Sequence, residues 1–384
     1  MPQRYQRLGP PPDEVLARLM PMRGALGITR VADITGLDRL GIPVVQAARP
    51  FSLSNAVAQG KGATVTEAAI SAILEAAETC FAEQATRFDT IVASADQLGI
   101  PTGRFERHLQ DGAERGWRDR EIAWVAADNL LSGDPDMVPF ELVHTDYVLP
   151  PLPYDGIFAA STSGLAAAFA EPDAIVHGML ECIERDAITR AQHVHGFFHH
   201  QRIDPDTIED PSLRDLLDAL ASRNVLIGLW QAVSPFGIPV AWCHLLEDEP
   251  TETALLDHPA DGSAAGFEPA GAIAHAIYEA VQARLAAISG ARDDITRAFY
   301  PKYPDRAKIA AHRRLLREGP RSVDFRVLAG QDFSSAADAP SALLSILEEK
   351  GIDAVHLVRV NTEPLDRLSI VRVIIPALQP LSEG

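Results

Sequence analysis

Two glutamate pairs carry the strongest chemical signal in the sequence: Glu75 with Glu78, and Glu181 with Glu184, each spaced i, i+3. On a helix that spacing puts both carboxylates of a pair on one face. Arg185 follows Glu181 by four residues and shares its side. Ala68, Ala69, Ala72, Ile73, Leu74, Ala76 and Ala77 surround the first pair with a nearly uncharged run. Solvated helix faces commonly carry such pairs, because charges are mostly exposed. A buried carboxylate instead needs a partner or a metal, and four together repel unless cations lie between them. Hard oxygen donors suit Mg²⁺ with bound phosphates. The residues alone leave two readings open, a solvated face and a metal–nucleotide site.

The elements that must position these groups follow from the apolar pattern. Residues 66–83 read as one apolar helix. The stretch from Glu171 onward reads as another, with Ala174, Met179, Leu180, Ile183 and Ile188 at helical spacing. A third long helix is expected over 269–289, carrying Glu279, Gln282 and Arg284. Surface exposure accounts for these three, and Gln282 and Arg284 are also able to reach a phosphate or base. Strands are expected within 27–50 and 51–63, ending in a loop Gln59-Gly60-Lys61-Gly62 that opens the first helix. Such a loop offers backbone N–H groups and one ammonium to an anion, although the GxxxxGK[ST] spacing is missing. Residues 224–247 read as a β-hairpin turning at Ser234–Gly237, and the end of the chain as helix 340–350 with strands 353–360 and 369–375. Strand–strand–helix units recur around each glutamate-pair helix, which suggests an old duplication.

Composition narrows the class. With 47% hydrophobic residues over 384, the chain is globular and long enough for a large core. A net charge of −19 argues against binding along nucleic acid. No apolar run of about 18 residues is available to span a membrane, and the N-terminus lacks the apolar core of a signal peptide. Cys80, Cys182 and Cys243 show no CxxC spacing, so a disulfide framework is not expected, and a cytoplasmic protein is. His195 and His199 stand at i, i+4 in a cluster with His193 and His200. No neighbouring carboxylate or Cys completes a zinc set, and Gly196 weakens the helix there. Ser161-Thr162-Ser163-Gly164 does not match the GxSxG nucleophile elbow.

Longer motifs point further. QGKGATVTEAAISAILEAAE (59–78), SGLAAAFAEPDAIVHGMLECIERDA (163–187) and EAVQARLAAISGARDD (279–294), with GITRVADITGLDRLGIPV ahead of them, resemble YcaO-domain proteins in the family's order over most of the chain. The opening and the IVRVIIPAL ending are most similar to the TfuA-associated branch of peptide thioamidation. The resemblance implies an α+β YcaO-like fold, with mixed and antiparallel sheets packed on long helices and an ATP site between them. It implies one domain over 1–384: an N-terminal strand segment (1–60), the first ExxE helix with an insertion (61–150), the second ExxE helix with the EAVQAR helix (151–300), and a C-terminal α/β segment (301–384).

The implied activity is ATP- and Mg²⁺-dependent modification of backbone amides in a ribosomally made peptide or protein. A nucleophile adds to the amide carbonyl, and ATP phosphorylates the oxygen so that it leaves as phosphate. Sulfide gives a thioamide; a neighbouring Cys, Ser or Thr gives an azoline, the cyclodehydratase outcome. By resemblance Glu75, Glu78, Glu181 and Glu184 bind Mg²⁺, Arg185 the nucleotide phosphates, Asp173 is an acidic nucleotide contact, and Arg7 is the N-terminal basic contact. Lys61, Gln282 and Arg284 complete the expected nucleotide site, and no catalytic side chain is assigned. The expected partners are a TfuA-like protein, a precursor peptide or protein substrate and, by analogy, a second copy in a homodimer.

Departures from the family pattern cluster in the second motif. Where the family reads SNGLAxGN, this chain has Ser163, Ala168 and Phe169 for Asn, Gly and Asn, and Ala167 at a position often held by Ser. Thr79 stands where many members have Arg, and Val15 where a hydroxyl is common. Removing one polar interaction with the nucleotide costs on the order of 1 kcal/mol. These changes motivate an alternative, a non-catalytic YcaO-like protein that binds a peptide or partner.

Overall fold

The computed structural model describes residues 10–113, 115–248, 255–256, 258–290, 306–331, 338–361 and 368–381. Helix α1 (Pro12–Leu19) leads into an antiparallel sheet of β1 (Arg30–Asp33), β2 (Val44–Ala48) and β3 (Val57–Lys61). Helix α2 (Val65–Ala82) follows at once. The Thr64 hydroxyl accepts from Glu67 N, and the Glu67 carboxylate accepts from Ala63 N at 3.0 Å, so both sides of the helix start are satisfied.

Gln59, Gly60 and Lys61 are the end of β3, not the expected loop. Pairing with Val44–Gln46 of β2 fixes this backbone as extended strand along one edge, and on the other edge Gln59 O accepts from Gln282. Successive strand residues face opposite ways. Gly60 faces α2, where a Cβ would lie 2.1 Å from both Ala68 O and Ala72 N. Only glycine lets the helix lie so close to the sheet.

The chain continues through β4 (Thr90–Ala93), β5 (Ile122–Asn129), β6 (Pro135–Pro139) and β7 (Leu165–Ala168) into α3 (Glu171–Gln192). Next come α4 (Phe197–His200), β8 (Ile203–Asp204), α5 (Pro211–Ala221), β9 (Val225–Gln231), β10 (Val240–Glu247), β11 (Ala260–Ala265) and α6 (Pro269–Ser289). The last described elements are α7 (Arg306–Glu318), β12 (Val323–Asp324), α8 (Ala339–Glu349), β13 (His356–Arg359) and β14 (Ser369–Ile374). A large antiparallel sheet runs β4-β5-β13-β14-β7, with β6 also on β5; β9, β10 and β11 form a third antiparallel sheet, and β8 pairs with β12 in parallel. The expected α+β class is what the chain adopts. Among the described residues no helix is long and apolar enough to cross a membrane.

A duplication is visible, but not where the sequence pattern suggests one. β9-β10-β11 with α6 repeats β1-β2-β3 with α2: three antiparallel strands, then a long helix laid across them. Gly262 on β11 plays the part of Gly60 one helical turn further along, since a Cβ there would lie 2.2 Å from Ala280 N and 2.6 Å from Ala276 O. The helices agree in sequence as well: Ala68, Ala72, Ile73, Glu75 and Ala76 match Ala272, Ala276, Ile277, Glu279 and Ala280, while Gln282 stands where α2 has Glu78. Helix α3 is not part of either copy. It lies between them, packed on β7 and β14 to one side and on β10 and β11 to the other.

Candidate functional site

Helices α2, α3 and α6 bring their acidic side chains to a common region beside β7 and β11. Glu78 reaches β7, its Oε1 accepting from Ala167 N at 2.9 Å. Glu181 accepts from Gly164 N at 3.1 Å, just before the same strand. Glu184 turns to β11, accepting from Ser263 Oγ at 2.6 Å and Ala265 N at 3.1 Å. Arg185 lies 3.4 Å from Glu181 and 3.7 Å from Glu184. From α6, Glu279 pairs with Lys61 Nζ at 2.5 Å. With half-buried Glu75, five carboxylates meet two cations.

The electrostatics follow from that imbalance. Burial drives the Glu78 carboxyl well above its ordinary range, and Glu75 and Glu181 push it further, against the Ala167 N–H. Burial likewise raises Glu184 to about 7; Glu279 and Glu181 add to the shift, while Arg185 and Ser263 oppose it. For Arg185 burial works against the charge, yet Glu184, Glu181 and Glu279 outweigh it and hold the guanidinium more firmly protonated than usual. Glu279 goes the opposite way from Glu78: burial raises it, but Lys61 and Arg185 prevail and its pKa falls.

Among the described residues no three His, Cys, Asp or Glu side chains converge into a complete metal cage. Mg²⁺ does not need one, because it is commonly held by one or two carboxylates, water and substrate phosphates. The donor set of paired, mutually repelling carboxylates fits that chemistry. Unpartnered polar atoms lie nearby. The side-chain amide of buried Gln59 has no hydrogen-bond partner at either atom, nor has Gln282 Oε1. Gln59 and Lys61 lie on one face of β3, opposite Gln282 and Glu279 of α6, so these amides border the Lys61–Glu279 pair.

The remaining residues expected at the site are distributed unevenly. Gln282 donates to Gln59 O at 2.8 Å and so sits at the margin of the cluster. Arg284 does not join it. The side chain is 2% exposed and is held by Asp38 at 2.7 Å and Glu247 at 2.6 Å, a buried ionic triad that ties α6 to β10 and to the turn after β1. Asp173 is exposed in the first turn of α3, about two turns from Glu181. Arg7 lies outside the described residues. The four histidines are all exposed, and α3 ends before Gly196, so His195 and His199 do not share the helix that a metal pair requires.

Two features escape sequence reasoning. Surface exposure is the simplest expectation for Glu279, and only its repeat of the Glu75 context marks it otherwise. Ser263 carries no signal at all. The motif departures also look different in three dimensions. Gly164 and Ala167 hold Glu181 and Glu78 through backbone N–H groups, which the change of side chain at 167 leaves intact. Thr79 receives a hydrogen bond from Arg49 Nη1 at 3.0 Å, so a guanidinium reaches that position from another element. Phe169 is covered by the Arg18 guanidinium of α1, 3.6 Å from the ring centroid.

Comparisons with known proteins identify the family and the fold. The family described as YcaO cyclodehydratase, ATP- and Mg²⁺-binding, matches residues 59–379. An uncharacterized protein in the tfuA 3′ region of Rhizobium leguminosarum bv. trifolii is 30% identical over 383 residues, 96% of this chain and 87% of that protein. Among solved structures, YcaO from Methanopyrus kandleri bound with AMPPCP and Mg²⁺ superposes with a TM-score of 0.69 at 22% identity, covering 97% of this chain and 95% of that one. A heterocyclase in complex with substrate and cofactor gives 0.76 at 17% identity, covering 99% of this chain and 54% of that one, so this chain spans about half its length. At such identities the two structures establish a common fold. With the family match extending over most of its length, the chain belongs to the YcaO family of ATP- and Mg²⁺-binding proteins.

Proposed function

We propose that this protein uses ATP and Mg²⁺ to phosphorylate a backbone amide oxygen of a peptide or protein, and that sulfide replaces the oxygen to leave a thioamide. The observation that carries the reading is the carboxylate cluster: half-buried Glu78, held by the Ala167 N–H, stands with Glu75 and Glu181, and burial and these neighbours push its pKa up. In that setting a divalent cation supplies the missing positive charge and stabilises the charge that develops on the transferred phosphoryl group. Glu75 and Glu78 from α2, with Glu181 and Glu184 from α3, would hold Mg²⁺. Arg185, already oriented by Glu181 and Glu184, would meet nucleotide phosphates, with Lys61 and Gln282 at the border. The N–H groups of Gly164, Ala167 and Ala265 keep the carboxylates in place without carrying charge themselves.

The chemistry balances. A sulfide lone pair adds to the amide carbon, and the π pair moves to oxygen, which takes the terminal phosphoryl group as its bond to ADP breaks. The C–O bond then breaks with its electrons on phosphate, and loss of the sulfur proton closes C=S. Amide, HS⁻ and ATP thus become thioamide, ADP and hydrogen phosphate. The relative from a tfuA region supports the thioamide branch and a TfuA-like partner over azoline formation.

The test is mass spectrometry on a peptide incubated with ATP, Mg²⁺ and sulfide, with and without a TfuA-type protein. Exchange of one oxygen for sulfur is the expected result. Loss of one water would assign an azoline instead. A second reading, the non-catalytic binder, draws on the Arg18–Phe169 stack, which stands where the resemblance expects an asparagine. Neither ATP consumption nor peptide change, even with the partner, would favour it.

A further inference from the structure

Arg372 on β14 is a buried cation with an unfinished shell. The residue is 3% exposed. Its Nε donates to Leu142 O at 2.9 Å and its Nη2 to Ser161 O at 2.6 Å, while Nη1 has no hydrogen-bond partner. Among the described residues no carboxylate forms an ion pair with it. A guanidinium buried without a counter-charge is costly, and an anion against Nη1 completes it. Beside it lies a cavity of about 30 Å³ lined by His108, Ser161, Ser163, Cys182, Arg185 and Arg372, among others. His108 Nε2 is buried on the same cavity and also lacks a partner. A water occupies roughly 10–15 Å³ by this measure, so the space beside Arg372 suits an anion of one or two heavy atoms.

We propose that this cavity binds a small monovalent anion beside the amide-activating site, and that hydrosulfide is its working occupant. The second half rests on the thioamide reading above; the first does not. Hydrosulfide accepts from Arg372 Nη1 and from the Ser163 hydroxyl, which itself accepts from Ser161 Oγ, and in the tautomer protonated at Nδ1 the His108 Nε2 accepts the S–H. Arg185 lines the cavity and also touches Glu181 and Glu184. An ion held by Arg372 is therefore one side chain away from the carboxylate cluster, and its lone pair is the one that forms the C–S bond. Chloride is the alternative occupant of this size and charge.

Bromide, a heavy monovalent anion, is the probe. Crystals of the full chain soaked in bromide are expected to show an anomalous peak on Arg372, and added hydrosulfide is expected to displace it. In turnover assays Ala159→Leu, which fills the cavity without removing a bond of Arg372, should raise the KM for hydrosulfide about tenfold or more. The KM for ATP should stay the same, and Arg372→Met should act in the same direction if it folds. No bromide at Arg372 overturns the anion site, whatever the enzyme makes. Bromide that hydrosulfide neither displaces nor replaces, with an unchanged KM in Ala159→Leu, overturns hydrosulfide and leaves a chloride site. Bound bromide in a protein that makes azolines overturns the thioamide reading while the anion site stands.

Discussion

Glu75 on α2 and Glu279 on α6 occupy matching places in two copies of one frame, each beyond alanines that rest on a three-stranded sheet. Their charges are handled in opposite ways. On α2 the second position is Glu78, and burial, with Glu75 and Glu181 adding to it, drives it toward protonation. On α6 the second position is the neutral Gln282, and Lys61 and Arg185 hold Glu279 ionised. One copy is neutralised from within the protein. The other keeps a charge imbalance that protonation or added cations relieve. The same scaffold thus carries a compensated carboxylate in α6 and a crowded carboxylate pair in α2, and the difference lies in a few side chains.

The largest expected effect comes from the ionic triad of α6. Arg284→Met leaves Asp38 buried without its cation, while Glu247 keeps Arg39, and should cost about 3 kcal/mol in denaturant unfolding. A loss below about 1 kcal/mol would show that α6 is not anchored by this triad. Next are Gly60→Ala and Gly262→Ala, each forcing a methyl group into helix backbone, at about 3 kcal/mol apiece. Thermal melts should show similar losses for both. A tolerant Gly262 beside an intolerant Gly60 would break the equivalence of the two frames.

Glutamate neutralisation should then separate the copies by sign. Glu78→Gln relieves repulsion and should stabilise the metal-free protein by about 1 kcal/mol, whereas Glu279→Gln strands Lys61 and should destabilise it by a similar amount. The pH dependence follows the same logic. Glu184, raised to about 7, holds a proton in the folded state that the unfolded chain releases at lower pH. Folded protein therefore binds more protons between the ordinary carboxylate range and about pH 7, and stability should fall as pH rises through that window. Saturating Mg²⁺ with ATP should flatten the slope; an unchanged slope in urea titrations would disconnect these carboxylates from the metal. The smallest effect belongs to Phe169→Asn, which removes a cation–π interaction with Arg18 worth about 1 kcal/mol. On the catalytic reading calorimetry should show tighter ATP binding in that variant.

Much of this is legible in the sequence. Apolar periodicity marks α2, α3 and α6, and alternation with a Ser-Pro-Phe-Gly turn marks the β9–β10 hairpin. The glutamate spacing announces the cluster because i, i+3 positions share a face whatever the tertiary context. What the sequence hides is decided between distant segments. Gln59-Gly60-Lys61 reads as a loop because glycine usually punctuates; only packing on Ala68 and Ala72 shows why a strand needs one there. Arg284 lies near Gln282 in sequence, but its partners Asp38 and Glu247 come from elsewhere and turn it away from the cluster. Lys61 and Glu279 are 218 residues apart, and no local pattern pairs them.

The central claim is that α2 and α3 hold a metal-bound nucleotide between them. It is tested most directly by titrating ATP into the full chain by calorimetry, with and without Mg²⁺, alongside Glu78→Gln and Glu279→Gln. The account predicts saturable binding that requires Mg²⁺, is abolished in Glu78→Gln and is only weakened in Glu279→Gln. Equal binding by wild type and Glu78→Gln, or binding indifferent to Mg²⁺, would contradict it.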